Sequence, residues 1–370
     1  MKKKRILFLY ELVGFGHKQI ANATAKRLKE KHPEFIIKSE DLGGKYYPFV
    51  IGSMRIGYSL FVQNASGLYN YLYHKGTNRK SRFFLNLPTS IVKEKFKEFI
   101  QDFNPDLIVS AYALDTSAVS LLDDKELKTK LIAIATDFFV HSYYISKNVD
   151  KYCVASKFSK RVMVDSGADP KKIEITGLPV TKKFLIKGNK QKAKRKFGFS
   201  QDKTLILIVG GGLGLGRIEK ALETLDSIDE EVQIAFVAGK NENLYKKLTR
   251  KKFRKNVKIY GFIKDLDSLM DAADIYVGRA GGNGISEVFA KRIPMIYFGG
   301  LPSQERANAE YLESIKVGFI AKTPKKLKEV ASRMINKKEL LINMKKNIQK
   351  NNMDKASDNI IKVIEKELNF

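Results

Sequence analysis

Gly14-Phe15-Gly16-His17 joins an apolar opening run, residues 6–10, to a helical pattern over residues 18–31. Gly14 and Gly16 let the backbone approach a ligand closely, and His17 beside the helix start is a candidate general base. A second glycine run, residues 210–216, follows the apolar residues 204–209 and puts Gly211 and Gly212 where successive amides can cradle phosphate oxygens. A third loop, Gly278-Arg279-Ala280-Gly281-Gly282-Asn283-Gly284-Ile285-Ser286-Glu287, also follows a strand pattern and opens a helix. Gly282, Asn283 and Gly284 form the start of that helix, and Glu287 in its first turn can accept hydrogen bonds from a ribose diol. Further on, Gln304, Glu305 and Asn308 bring an amide, a carboxylate and a second amide close together, a set that suits sugar hydroxyls. Each feature has a plainer alternative: His17 as a polar helix-starting residue, Glu287 as a complement to the helix dipole, Gln304 as a solvated side chain.

Other chemistries are disfavoured by what stands at fixed offsets. A dinucleotide fingerprint needs a third glycine where the chain has Gln19, and no GxxxxGK[ST] sequence marks a P-loop. The single Cys153 excludes an internal disulfide and any multi-cysteine metal site.

These loops need strands to hold them. Apolar runs at residues 35–39, 107–111, 131–136 and 151–155 alternate with helical patterns in the first half. Runs at 204–209, 232–238, 257–260, 275–277 and 294–298 do the same in the second. Such alternation predicts an α/β protein with two Rossmann-like, doubly wound parallel sheets, which suits a chain of 370 residues. The expected division is residues 1–181, a basic linker at 182–203, a second domain at 204–350, and a C-terminal helix at 351–370. That helix places Ile360, Ile361, Val363, Ile364 and Leu368 on one face, expected to pack back toward the first domain.

A formal charge of +28 and a pI near 9.8 imply an anionic partner: nucleic acid, an acidic membrane face or phosphorylated substrates. The lysines are spread along the chain, as a genome-wide lysine bias would also produce. No RRM, KH or zinc-finger pattern supports nucleic acid as the partner. The opening residues lack a signal-peptide core, because Glu11 and His17 interrupt the apolar run. Residues 56–74 are uncharged and long enough to span a bilayer, but Gln63, Asn64, Ser66 and Asn70 break their apolar character. In the same region Leu60, Phe61, Ala65, Leu68, Tyr69 and Leu72 share a helical face, Tyr71 and Tyr73 adjoin it, and Lys75, Arg79, Lys80 and Arg82 come next. Aromatic residues with basic ones after them suit a membrane interface; the alternative is an internal helix packed on the first sheet.

The paired segments 278–287 and 302–309, with Gly261-Phe262-Ile263 and residues 271–274 before them, resemble the donor half of the MurG-like (family 28) and monogalactosyldiacylglycerol-synthase-like glycosyltransferases of the GT-B fold. In the first half, Thr136-Asp137-Phe138-Phe139-Val140-His141, Val149-Asp150-Lys151-Tyr152, Val162-Met163-Val164 and Thr176-Gly177-Leu178-Pro179 resemble the bacterial processive diacylglycerol glucosyltransferases. The resemblance implies that Ile263 reads a uracil edge through its backbone, that Glu287 binds the ribose, and that Gln304, Glu305 and Asn308 contact the sugar. It also implies that Gly16-His17 is the loop supplying the base; Asp137 is the candidate to orient or assist His17. The chain departs from the family at Ser303, where glycine is frequent, and at Gly284, where a threonine-like residue is frequent. The activity that the resemblance implies is an inverting transfer of glucose or galactose from a UDP-sugar to diacylglycerol or a glycosyl-diacylglycerol. It would need no cofactor and no obligatory metal, and would take place at an anionic membrane surface on the cytoplasmic face of the cell membrane. Transfer to a polyprenyl-linked or polysaccharide acceptor, and UDP-GlcNAc 2-epimerisation, are the other readings.

Overall fold

The structure, a computed structural model, describes residues 3–12, 15–49, 51–53, 83–122, 129–210, 218–299, 303–351 and 353–370. Gly211 and Gly212, and the acceptor-side residues Tyr69, Tyr73, Lys75, Arg79, Lys80 and Arg82, lie outside the described residues. The chain divides into two compact units, Met1–Thr181 with Met353–Phe370, and Lys182–Asn352.

In the first unit six parallel strands, β1 (Arg5–Leu9), β2 (Ile36–Glu40), β3 (Leu107–Ser110), β4 (Lys130–Ile134), β5 (Lys151–Val154) and β6 (Ile173–Ile175), lie in the order β2-β1-β3-β4-β5-β6. Parallel strands are covered on both faces, so the inner strands are largely apolar, as at residues 6–9, 107–109 and 131–134. The period of two along β1 divides its side chains between two cores. Ile6 and Phe8 pack with Ile20 and Leu28 of helix α1 (Phe15–Lys31), whereas Leu7 and Leu9 pack with Phe96 and Ile100 on the other face. The helix Ala356–Glu367 delivers Ile360, Ile361 and Ile364 to the α1 side of this sheet. Burying one such side chain contributes about 1.5–3 kcal/mol. Its end is pinned by His32, whose ring stacks on Phe35 at 4.5 Å, meets Phe370 edge-on at 5.0 Å and contacts Glu365 through Nε2 at 2.6 Å.

The second unit repeats the plan. Strands β7 (Thr204–Val209), β8 (Val232–Val237), β9 (Asn256–Tyr260), β10 (Ile275–Gly278), β11 (Met295–Phe298) and β12 (Gly318–Ala321) are parallel, in the order β12-β11-β10-β7-β8-β9. Residues 182–203, expected as a linker, carry two short helices, Lys182–Leu185 and Lys190–Lys196, and are fixed to this unit. Asn189 caps the second helix by accepting from the Lys192 amide at 3.0 Å. Buried Lys194 pairs with Asp274 at 3.0 Å, and Asp274 also accepts from the Leu205 amide at 3.0 Å. A basic stretch that looks solvated in sequence is thereby held against the start of β7. Among the described residues no helix is long and apolar enough to cross a membrane.

In each sheet the strand order changes direction once, between β1 and β3 and between β7 and β10. Loops at the carboxyl ends of such neighbours diverge to opposite faces and leave a crevice where open α/β sheets bind ligands.

Candidate active site

At the first crevice His17 lies in the opening turn of α1. Its Nδ1 is 3.0 Å from the carbonyl oxygen of Ala111, just past β3, and 3.1 Å from Thr136 Oγ1, just past β4. A carbonyl can only accept, so Nδ1 carries the proton and Nε2 carries the lone pair. Tyr112 meets the imidazole edge-on at 4.9 Å, and Tyr144 holds Thr136 through a 3.0 Å hydroxyl contact. Burial of the ring lowers its pKa to about 4, against a smaller opposing effect of the Ala111 hydrogen bond. The positive end of α1 acts in the same direction as burial. His17 is therefore a neutral imidazole at physiological pH, with one nitrogen anchored and the other ready to accept a proton. Asp137 comes directly after Thr136, and its charge adds to burial in raising the Tyr144 hydroxyl pKa.

At the second crevice the helix Gly282–Lys291 starts soon after β10. Glu287 projects from its second turn and is buried; Asn283, one turn earlier, donates to Glu287 Oε1 at 3.0 Å. Burial lifts the Glu287 carboxyl to about 7, with the Asn283 hydrogen bond opposing the shift. Arg279 grips Glu305 in a two-pronged pair, Nε to Oε2 at 3.0 Å and Nη2 to Oε1 at 2.7 Å. Asn308, fully buried, donates to the Ala280 carbonyl at 2.8 Å and so ties the helix Ser303–Ser314 to the loop after β10. Past β9, Ile263 borders a recess of about 490 Å³ walled by Phe197, Tyr245, Tyr260 and Phe262. A buried carboxylate, a carboxylate held by a guanidinium and a helix N-terminus thus share one sheet edge, an arrangement fitted to a hydroxyl-rich, anionic ligand.

Residues 17–180 match the family described as Monogalactosyldiacylglycerol (MGDG) synthase, and residues 205–360 match the family described as Glycosyltransferase family 28 C-terminal domain. The chain is a GT-B glycosyltransferase of family 28. It is similar to a processive diacylglycerol beta-glucosyltransferase of Bacillus pumilus, 27% identical over 377 residues that cover 98% of this chain and 94% of that protein. Among the solved structures that share its fold are MurG of Acinetobacter baumannii and Anabaena Alr3699/HepE. MurG of Acinetobacter baumannii has a TM-score of 0.62 at 17% identity, covering 98% of this chain and 99% of its own. Anabaena Alr3699/HepE in complex with UDP-glucose has a TM-score of 0.59 at 14% identity, covering 99% of both chains.

Within this glycosyltransferase, Gly16 and His17 stand at the carboxyl edge of the first sheet, where the loop after β4 also brings Asp137. Ile263, Gly282, Asn283, Gly284, Glu287, Gln304, Glu305 and Asn308 belong to segments following β9, β10 and β11 of the second. Three features have no counterpart in the sequence pattern: the Ala111–Thr136–Tyr144 cradle of His17, the Arg279–Glu305 pair and a buried acid pair beneath the first crevice. Thr136, a polar residue ending an apolar run, is the available signal for the cradle.

The acid pair is Glu11 and Asp115, both fully buried. Glu11 Oε1 accepts from the Gly43 amide at 2.8 Å, while no donor reaches Glu11 Oε2 or either Asp115 oxygen. Burial raises both carboxyl pKa values, and the charges of Asp115 and Asp41 raise Glu11 further. The pair therefore retains a proton at neutral pH, shared across the gap between them. Because the folded values are raised, the stabilising contribution is complete below the ordinary carboxyl value of about 4 and is lost as pH rises toward the folded values. Glu11→Gln keeps an acceptor for Gly43 and supplies a permanent donor for Asp115. It is expected to raise Tm by about 4 °C at pH 8 and by under about 1 °C at pH 5. Thermal melts at the two pH values check this, and an equal shift at both would contradict the shared proton.

Proposed function

We propose that this glycosyltransferase moves a hexose from a UDP-sugar to the hydroxyl of diacylglycerol, or of a glycosyl-diacylglycerol, with inversion at the anomeric carbon. The observation that carries the chemistry is the anchored His17 ring, with Nδ1–H given to the Ala111 carbonyl at 3.0 Å and Nε2 left to act as base. The lipid acceptor is supported by the MGDG synthase match over residues 17–180 and by the name of the Bacillus pumilus relative. The UDP-sugar donor is supported by the UDP-glucose bound in the Anabaena structure that shares the fold, and the hexose by the glucosyl transfer in the relative's name.

Nε2 of His17 takes the proton of the acceptor hydroxyl as its oxygen forms the new bond to the anomeric carbon. The bond from that carbon to the diphosphate breaks, and the diphosphate leaves with the electron pair. A positioned base of this kind contributes about 10²- to 10⁴-fold in rate. Glu287 holds the ribose, Ile263 reads the uracil edge through its backbone, and Gln304, Glu305 and Asn308 hold the hexose. The N-terminus of helix Gly282–Lys291, with Gly211 and Gly212, stabilises the departing diphosphate without requiring a metal. Tyr69, Tyr73, Lys75, Arg79, Lys80 and Arg82 hold the protein against an anionic, cytoplasmic membrane face, at about 1 kcal/mol per basic residue near the surface.

The test is incubation with UDP-glucose or UDP-galactose and anionic vesicles containing either diacylglycerol or a prenyl-phosphate-linked acceptor. The expected product is a hexosyl-diacylglycerol, identified by mass spectrometry. Product from the prenyl acceptor alone, or UDP-GlcNAc turnover without any acceptor, would count against the proposal.

A further inference from the structure

Tyr276 lies in β10, two residues before Gly278, so both point to the same face of the sheet. The absence of a side chain at 278 lets the tyrosine ring run along the strand toward its carboxyl end. A Cβ at 278 would stand 2.6 Å from the Tyr276 hydroxyl oxygen and 2.8 Å from the ring. The same hydroxyl lies 3.9 Å from the position of a Cβ on Gly284, in the first turn of helix Gly282–Lys291. The residue is 5% exposed, yet its hydroxyl donates to no side chain or carbonyl among the described residues. The oxygen is not one of the buried polar atoms left without a partner, so it reaches the surface at the carboxyl end of β10, where a bound ligand can accept from it.

We propose that the Tyr276 hydroxyl is a ligand-facing hydrogen-bond donor that binds the diphosphate of the nucleotide sugar. This assignment rests on the sugar-nucleotide contacts proposed above for Glu287 and Glu305. Both carboxylates, and Arg279, lie close enough to Tyr276 for their charges to act on its hydroxyl. In a UDP-sugar whose ribose sits on Glu287 and whose hexose sits on Glu305, the group between them is the diphosphate. The helix N-terminus beside Gly284 favours the same anion. Burial, reinforced by the negative charge of Glu287 and Glu305, raises the phenol pKa, so the group remains a neutral donor at working pH. A phenol O–H donated to a phosphate oxygen is a charge-assisted bond, stronger than a neutral pair.

The test is Tyr276→Phe, with binding of UDP by calorimetry and of uridine by NMR titration. UDP affinity is expected to fall by about ten-fold, while uridine, which has no phosphate, binds the variant within about two-fold of the wild type. Unchanged uridine binding also reports that the site has kept its shape. Unchanged UDP affinity in the variant, or an equal loss for UDP and uridine, would overturn the assignment and leave the UDP-sugar reading standing. A wild-type protein that binds no UDP would overturn both.

Discussion

Replacing His17 by alanine is expected to lower kcat by about 10²- to 10⁴-fold and to leave the Kd for UDP-sugar within about two-fold of the wild type. The size reflects the role: the hydroxyl of an alcohol is a very weak acid, and without a base its proton must pass to water as the new bond forms. Selectivity for kcat reflects placement. His17 is held by the Ala111 carbonyl and Thr136 of the first unit, whereas Glu287, Glu305 and Asn308 stand on the second. Because burial keeps the imidazole pKa down at about 4, the base is unprotonated across neutral pH. The rate should therefore fall on the acid side only as pH drops toward that value. Steady-state kinetics from about pH 4.5 to 8, with donor binding measured separately, check both parts. Retention of wild-type turnover in the alanine variant would show that His17 is not the base, and a kcat limb centred near the ordinary histidine value of about 6.5 would show that burial does not hold its pKa down.

Replacing Glu287 by alanine is expected to raise the Kd for UDP and UDP-sugar by about 10- to 100-fold. Two ribose hydroxyls donating to one buried carboxylate make charge-assisted bonds, each contributing about 1.5–3 kcal/mol. Asn283, donating to Glu287 at 3.0 Å, loses its acceptor in the same variant. The carboxyl is raised to about 7 by burial, so its ionised, better accepting form gains population as pH rises through neutrality. UDP affinity of the wild type should accordingly increase between pH 6 and pH 8. Glu287→Gln should weaken binding less than alanine and abolish that pH dependence. Calorimetric titrations at the two pH values measure it, and a pH-independent wild type would remove Glu287 from the ribose.

The strands that carry both crevices are legible in sequence because the inner strands are mostly apolar, with Gln233 of β8 a buried exception; the run at 204–209 coincides with its strand at both ends. Two edge strands escape such a reading. Ile173–Ile175 is three residues long with an exposed Ile175, and Gly318–Ala321 opens on a glycine, so neither presents a run that periodicity can detect. The 182–203 stretch reads as a linker because it is basic and has almost no strand-forming content; only the fold reveals that Asp274 draws Lys194 into the interior.

The candidate site is legible to the extent that its chemistry resides in residue types after strands. Gly16-His17, Glu287 and the 304–308 set all announce themselves in that way. Their partners do not. The acceptor for His17 Nδ1 is a backbone carbonyl 94 positions away, which has no side-chain signature. Arg279 and Glu305 are separated by a helix and a strand, and their pairing depends on β10 and β11 lying side by side. Glu11 reads in sequence as a charge that ends an apolar run; that Asp115 lies beneath the same sheet edge is a consequence of the adjacency of β1 and β3. Tyr276 reads as one more apolar strand residue until Gly278 is seen to make room for its hydroxyl.

The most direct measurement is the anomeric configuration of the glycolipid formed from an α-linked UDP-hexose and diacylglycerol vesicles, read by NMR from the coupling at the sugar C1. A single displacement driven by the His17 base predicts a β-linked hexosyl-diacylglycerol that is formed only when the lipid is present. An α-linked product, or consumption of the donor with no lipid product, would contradict it.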